Sequence, residues 1–273
     1  MTETIAFIGG GNMAASLIGG LLAAGQAPEQ LRCAVRSADS AARLRQRFGI
    51  AAGTDRIAAI EAAETVVLAV KPQQLREAVA GLQPMPAATI VSVAAGVRIA
   101  TLRRWFAGAA GDIVRSMPNT PALIRQGATG LYAEPAAAPA SRARAETLMR
   151  AVGSICWVDS EAALDALTAL SGSGPAYFFL FVEALREAGG ALGLPAPLAA
   201  RLALETFTGA AALAAARDED VAELRRQVTS KGGTTEAAVD VLETGGLRSL
   251  LHDALNAAAR RAGERALAAD AES

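Results

Sequence analysis

The chain is poor in the residues that most often carry acid–base and metal chemistry. It has one histidine, His252, two cysteines, Cys33 and Cys156, and two lysines, Lys71 and Lys231, with arginine supplying every other basic side chain. Two cysteines in 273 residues make no disulfide scaffold, which points to the reducing cytoplasm. Both lie in apolar, strand-like runs and read as buried thiols. No His/Cys/Asp set has metal-ligand spacing, so no metal is expected. Lys plus Arg number 26 against 27 Asp plus Glu, a net charge of −1. That balance gives no electrostatic basis for nucleic acid or an anionic membrane as partner. The most apolar stretch, 166–185, is broken by Ser171-Gly172-Ser173-Gly174-Pro175 and carries Glu183, so it reads as a buried helix rather than a membrane span. The N-terminal MTETIAFIGGG enters a strand directly and does not read as a signal peptide.

Hydrophobic residues make up 52% and charged residues 19%, a globular balance, and the length suits two domains. Up to about residue 160, short β-branched runs alternate with helical patterns, the signature of a parallel sheet built from βαβ units. Strands are expected at 5–8, 31–35, 65–70, 89–93, 112–116 and 155–158, with amphipathic helices at 40–48 and 72–82 on the sheet faces. Beyond Asp159 alanine and leucine dominate. Gly/Pro punctuation divides helices near 161–192, 196–216, 219–228, 235–243 and 247–268. Residues 199–216 are apolar around much of the helix circumference, which burial against a second subunit would satisfy. His252, in the last of these helices, reads as a capping or packing residue. The segment 134–139 (EPAAAP) is the most linker-like, but strand-like sequence continues after it, so the domain boundary is placed near 160. The expected fold is α/β: a Rossmann-type doubly wound sheet over 1–160 followed by an all-helical domain over 161–273.

The first strand runs into Gly9-Gly10-Gly11-Asn12-Met13-Ala14, which fits G-x-G-x-x-A with Gly9, Gly11 and Ala14 at the three small positions. The first glycine makes the turn, the second lets a pyrophosphate approach the backbone, and the small third residue permits close helix–strand packing. Free N–H groups at the helix start, from Asn12 and Met13 onward, then hold phosphate. At the end of the second strand stands Arg36-Ser37, with the first acid, Asp39, too late to bind a ribose 2′-hydroxyl. An arginine there suits a 2′-phosphate, so NADPH is the expected coenzyme, with NADH the alternative. Ala69-Val70-Lys71-Pro72 closes the strand at 65–70 and Ala94-Ala95-Gly96 follows the strand at 89–93. Both lie at carboxyl ends of strands, where open α/β sheets bind ligands; Lys71 suits a phosphate or ribose, and the small 94–96 backbone suits the nicotinamide half.

Two further segments interrupt the apolar helices: 168–177 (TALSGSGPAY) and 228–235 (VTSKGGTT). Consecutive N–H groups of Gly232, Gly233, Thr234 and Thr235 at a helix start would form a nest for a carboxylate. The same residues also suit a helix–helix turn with Ser/Thr caps.

Taken in order, GGGNMA at 9–14, AVKP at 69–72, AAG at 94–96, RSMPNTPA at 115–122, LSGSGPAYFF at 170–179 and VTSKGGTT at 228–235 make the chain resemble the pyrroline-5-carboxylate reductase family over nearly its whole length. The resemblance implies NAD(P)H-dependent reduction of L-1-pyrroline-5-carboxylate to L-proline. Ser171 to Pro175 would face nicotinamide and substrate. Ser230, Gly232, Gly233, Thr234 and Thr235 would bind the substrate carboxylate, with Thr235 beside the imine nitrogen. It also implies a homodimer with interlocked helical domains, in some members assembled into a ring. Two positions depart from the pattern: Arg56 stands where many members carry asparagine near the adenosine ribose, and Lys231 where many carry proline. The shortage of His and Lys agrees with an imine substrate. A hydroxyacid dehydrogenase needs an acid/base on oxygen, usually His or Lys, and no lysine lies between 159 and 222. An imine nitrogen can already be protonated near neutral pH, leaving hydride transfer to positioning and electrostatics. A reductase of another cyclic imine or of a β-hydroxyacid, and a non-catalytic NADP-binding protein, are the alternatives.

Overall fold

The computed structural model describes residues 3–82, 88–106 and 111–271. Its strands are β1 (Ile5–Ile8), β2 (Leu31–Ala34), β3 (Ala51–Gly53), β4 (Thr65–Leu68), β5 (Thr89–Ser92), β6 (Ile113–Met117), β7 (Gly127–Ala133) and β8 (Gly153–Trp157). They form one sheet in the order β3-β2-β1-β4-β5-β6-β7-β8. Every neighbouring pair is parallel except β6 and β7.

The inner strands are continuous apolar runs because helices cover both faces of the sheet. Alternate side chains serve opposite cores. Ile5, Phe7, Val67, Val91 and Val114 meet Leu17, Ile18 and Leu21 of α1 (Asn12–Ala23) and Leu148 and Met149 of α6 (Pro139–Arg150) on one face. Ala6, Ile8, Val66, Leu68 and Ile90 meet Leu75 and Val79 of α4 (Pro72–Val79) and Leu102 of α5 (Ile99–Trp105) on the other. Each of the large side chains contributes about 2 kcal/mol by leaving water. Two more helices, α2 (Ala38–Phe48) and α3 (Arg56–Ile60), complete the cover around β2 and β3.

The expected strands are all present. β3 and β7 are additional, for identifiable reasons. β3 is three small residues on the sheet edge, with no apolar run to announce it. β7 is interrupted by Gly127 and Gly130, the latter leaving no room for a Cβ against Leu167, and it breaks the purely parallel pattern by running antiparallel to β6. The linker-like 134–139 segment is a tight turn, Ala137 N–H donating to the Glu134 carbonyl, that delivers Pro139 to the first turn of α6.

The two thiols differ. Cys33 is buried in β2, and burial pushes its pKa up to about 12. Cys156 is exposed, against expectation, because β8 is the last strand and alternate residues of it, Ser154 and Cys156, face solvent.

By their contacts the residues fall into two compact units, one running to Ser173 and resuming at Ala257, the other Gly174–Asn256. The first unit includes α7 (Glu161–Leu167) and a π-helical turn, Thr168–Gly172. The second contains α8 (Gly174–Ala191), α9 (Ala196–Ala215), α10 (Val221–Gln227), α11 (Thr234–Thr244) and the start of α12 (Leu247–Ala271). Glu243 of α11 accepts from Arg225 of α10 at 2.8 Å and from two nitrogens of Arg248 of α12 at 2.7 Å, which hold its carboxyl down to about 2. The expectation that 166–185 is buried is corrected: Phe178, Phe179 and Leu180 of α8 are exposed, because within one chain only α9 packs extensively on it. α9 is long and apolar enough to cross a membrane by length and composition, and of its residues only Ala199 and Ala203 are buried. His252 neither caps nor packs; it lies exposed on α12 with Asn256 Nδ2 3.2 Å from its Nδ1.

One buried ion pair anchors α7 to the sheet. Arg115 of β6, 5% exposed, places Nη1 2.7 Å from Glu161 Oε1, which also accepts the Ile99 N–H at 3.0 Å. Burial raises the pKa of Asp165, one turn along α7, against the pull of Arg115 and Arg98. Removing one partner of a buried pair leaves the other charge uncompensated. Glu161→Ala is therefore expected to cost about 3 kcal/mol of unfolding free energy, measured by urea denaturation, whereas Arg226→Ala on the exposed face of α10 should cost less than about 1 kcal/mol.

Candidate coenzyme and substrate site

The strand order reverses around β1: the chain winds outward through β2 and β3, then returns to place β4 on the other side. The loops after β1 and β4 therefore diverge and leave a crevice at the carboxyl edge of the sheet. A cavity of about 710 Å³ opens there, lined by Gly9, Gly10 and Gly11 after β1, by Arg36, Ser37 and Ser40 after β2, and by Ala69, Val70 and Lys71 after β4. Asn12, Met13 and Ala14 form the first turn of α1 behind it, Ala14 fully buried. Pro72 is the first residue of α4, following its N-cap Lys71.

The glycines at the crevice do different jobs. Gly9 has φ +104°, and a Cβ there would stand 2.6 Å from the Ala69 carbonyl oxygen, so both conformation and space demand glycine. Gly11 has ordinary extended backbone (φ −73°, ψ −174°) and nothing within 4 Å of a Cβ. Nothing in the fold itself requires it to be small. It is also the N-cap of α1, with no side-chain cap bond and no acid in the first turn. The helix start thus presents uncapped N–H groups and a positive dipole end to an open space, the arrangement that accommodates a pyrophosphate.

On the far side of the cavity Ser37 N-caps α2, accepting from the Ser40 N–H at 3.3 Å, while Arg36 is exposed. Asp39 is not among the lining residues; Ser40 is. Thr54, Arg56, Gln74 and Glu77 also line the cavity. Of these the sequence pointed only to Arg56. Its Nη1 donates to the Glu77 and Ala78 carbonyls at 2.6 and 2.8 Å, at the C-terminal end of α4, where a cation meets the negative end of the helix. Thr54, Gln74 and Glu77 carry no motif and reach the cavity only because β3 and α4 flank it.

Ala94, Ala95 and Gly96 lie outside this cavity. Gly96 is buried with φ +78°, and a Cβ there would meet Arg265 Cβ at 3.3 Å and Ala266 N at 3.4 Å. The smallness of Gly96 thus accommodates the last turns of α12, where Ala266 is fully buried. Ser171 occupies the π-helical turn of the same unit, its hydroxyl donating back to the Leu167 carbonyl at 3.3 Å.

In the second unit, Ser230 to Gly233 lie in the turn between α10 and α11, and Thr234 and Thr235 begin α11. Gly233 is the N-cap of α11, with no side-chain cap bond, and Gly232 takes φ +72°. Of the four N–H groups expected to form a nest, two are engaged within the turn. Gly233 N–H donates to the Ser230 carbonyl at 3.0 Å, and Gly232 N–H donates to the Glu236 carboxylate at 2.6 Å. Glu236 is an anion supplied by the chain itself at a turn suited to a carboxylate. Lys231 beside it is exposed. Among the described residues no group of three or more His, Cys, Asp or Glu could hold a metal ion.

Residues 161–265 match the family model "Pyrroline-5-carboxylate reductase dimerisation", and residues 4–96 match "NADP oxidoreductase coenzyme F420-dependent". Over 265 residues the chain is 48% identical to the pyrroline-5-carboxylate reductase of Pseudomonas aeruginosa, covering 96% of this chain and 97% of that one. It is 39% identical over 266 residues to the enzyme of Pasteurella multocida, covering 95% and 96%. Among solved structures, the pyrroline-5-carboxylate reductase of Coxiella burnetii superposes with a TM-score of 0.92 at 42% identity, covering 97% and 99% of the two chains. The Plasmodium falciparum enzyme, with NADP bound, gives 0.84 at 25% identity, covering 97% and 98%. A bare helix N-terminus at the switch point of a doubly wound sheet, joined to a helical region that matches a dimerisation model, belongs to a homo-oligomeric, nicotinamide-dependent oxidoreductase, and the chain is a member of the pyrroline-5-carboxylate reductase family.

Proposed function

We propose that the protein reduces L-1-pyrroline-5-carboxylate to L-proline with NADPH as preferred coenzyme, as a cytoplasmic homodimer. The observation that carries the coenzyme half is the crevice with its uncapped α1 N-terminus and Arg36 on the facing wall. Family membership over nearly the whole chain, with the 228–235 turn at the head of α11, supports the substrate half. In this reading residues 1–160 bind coenzyme and 161–273 bind substrate and form the dimer. The exposed apolar side chains of α8 and α9 are then covered by a second copy, with a ring of dimers as the larger assembly.

When bound, the nicotinamide supplies hydride to C5 of the imine. Gly9, Gly11, Asn12, Met13 and Ala14 hold the pyrophosphate by backbone N–H groups, close packing of Ala14 keeping that helix start against the sheet. Arg36 and Ser37 receive the 2′-phosphate, with Arg56, held by two carbonyls, behind them. Ala69 to Pro72 line the ribose side, where Lys71 supplies a point charge. Ala94, Ala95 and Gly96 back the nicotinamide. Ser171 orients the ring and substrate. Ser230 and Thr234 receive the substrate carboxylate, the Gly232 and Gly233 N–H groups joining them as they exchange Glu236 and the Ser230 carbonyl for it, and Thr235 places its hydroxyl at the imine nitrogen, holding the proton that the nitrogen carries. Among the described residues His252 is remote in function as well as exposed, and no ionisable base is required.

NADPH oxidation followed at 340 nm with pyrroline-5-carboxylate tests the reaction, proline formation being the expected product and absence of turnover with either coenzyme the contrary result. Arg36→Ala should raise KM for NADPH about tenfold or more while leaving NADH almost unchanged, the loss of a charge-assisted contact to phosphate. Gly9→Ala and Gly11→Ala should separate folding from binding: both abolish tight coenzyme binding by fluorescence titration, but only Gly9→Ala should lower Tm. Thr235→Ala should retain NADPH binding and lower kcat about tenfold or more. Glu236→Gln removes a competing carboxylate from the turn. A charge a few ångströms from the substrate carboxylate is worth about 1 kcal/mol in wet surroundings, so KM for pyrroline-5-carboxylate should fall about fivefold.

A further inference from the structure

Residues 168–172 depart from regular α-helix. Ser173 N–H donates to the Thr168 carbonyl at 2.9 Å, a bond one residue longer than the α-helical one, and π turns of this kind concentrate at functional sites because they displace a residue from the helical ladder. The Ser171 carbonyl has no α-helical donor, because the residue four ahead is Pro175, which lacks an N–H, so it is open to an outside partner. One side chain supplies it. Asn119 lies two residues past β6, where its Nδ2 donates to the Ser171 carbonyl at 3.1 Å and its Oδ1 accepts the Ala128 N–H at 2.9 Å. The two bonds fix the amide orientation uniquely: the oxygen faces a donor and the nitrogen faces an acceptor, and the flipped amide would lose both.

The surroundings tie this amide to the carboxyl edge of the sheet. Gly172 packs against the end of β6, where a Cβ on it would stand 2.8 Å from Met117 Cε. Ser116 Oγ donates to the Ser92 carbonyl at 3.0 Å, linking the end of β6 to the end of β5, from which the Ala94–Gly96 loop departs. Ala128 opens β7 on the other flank. Asn119 therefore bridges the sheet edge and the turn that carries Ser171, through hydrogen bonds to main chain on both sides.

We propose that Asn119 is a positioning residue of the reductase: by holding the Ser171 carbonyl to the start of β7 it sets the π turn and so the placement of Ser171. The proposal rests on the reading above, in which Ser171 faces nicotinamide and substrate. Asn119 touches neither coenzyme nor substrate in this role; it acts through the 168–172 backbone.

Asn119→Asp separates the two bonds. The carboxylate still accepts the Ala128 N–H, but it has no hydrogen to give Ser171 and its second oxygen repels that carbonyl. The variant is expected to keep its KM for NADPH, whose phosphates bind at the distant β1–β2–β4 end, and to lose kcat by at least about tenfold, as a misplaced reacting geometry does. Hydrogen–deuterium exchange should rise in a peptide spanning 166–177 and stay unchanged in α1. Asn119→Ala loses both bonds and should also lower Tm, which separates a general structural loss from the specific one. Wild-type kcat in Asn119→Asp, or wild-type exchange across 166–177, overturns the proposal. Faster exchange in Asn119→Asp, alongside wild-type protein that turns over no pyrroline-5-carboxylate, supports the tether while overturning the reaction assigned to the site.

Discussion

The carboxyl end of β1 is the constraint on which the coenzyme site depends. β1 pairs in register with β2 on one side and β4 on the other, and both of its faces are packed against helices, so its end is held at a fixed point. The chain must leave that point without striking the Ala69 carbonyl, which Gly9 achieves at φ +104°, and must then start a helix at once. The result is a helix N-terminus, backed by a fully buried Ala14, whose N–H groups open onto the space left where the winding of the sheet reverses. Loosening β1 would blur the position of this helix start, which carries neither a side-chain cap nor an acid in its first turn.

Backbone groups and side chains already committed to partners furnish much of the polar character of the structure around these sites. Arg56 is committed to two carbonyls of α4, Arg115 to Glu161, and Asn119 to two main-chain groups. The cation of Arg115 is almost fully buried, so its partner also organises what surrounds it: Glu161 accepts the first N–H of α5, next to the loop that leaves β5. This economy suits reduction of an imine, in which orientation and a protonated nitrogen replace the general acid that an alcohol would need. It also explains how a chain with a single, exposed histidine belongs to an oxidoreductase family.

The helices of the second unit show the opposite balance. Their polar ties are on the surface, as at Glu243 with Arg225 and Arg248, while phenylalanine and leucine side chains of α8 and α9 stand in solvent in the isolated chain. A lone helix pair cannot bury an apolar surface that runs around most of each helix. These helices lie within 161–265, the residues that match a dimerisation model, and in the proposed dimer a second copy covers that surplus.

Much of this was legible in the sequence, and the rest was not for physical reasons. Doubly buried strands such as 5–8 and 65–68 announce themselves as apolar runs, and the glycine spacing after β1 follows from a turn that backbone geometry alone dictates. Those features are local. β3 and β7 were hidden because one is a three-residue edge and the other is cut by glycines whose smallness answers to Ala122 and Leu167, residues packed on them only in the fold. The exposure of Cys156 depended on β8 being the last strand, which no periodicity encodes. The carbonyls under Arg56, the α12 turns over Gly96 and the amide bridge from Asn119 to Ser171 join positions from 21 to 170 residues apart. The sequence by itself determined where a nucleotide-binding turn and a helical half must occur, because period and glycine placement act over a few residues. Only the tertiary structure decided which side chains hold those pieces in place, because such contacts depend on strand order and packing rather than on spacing along the chain.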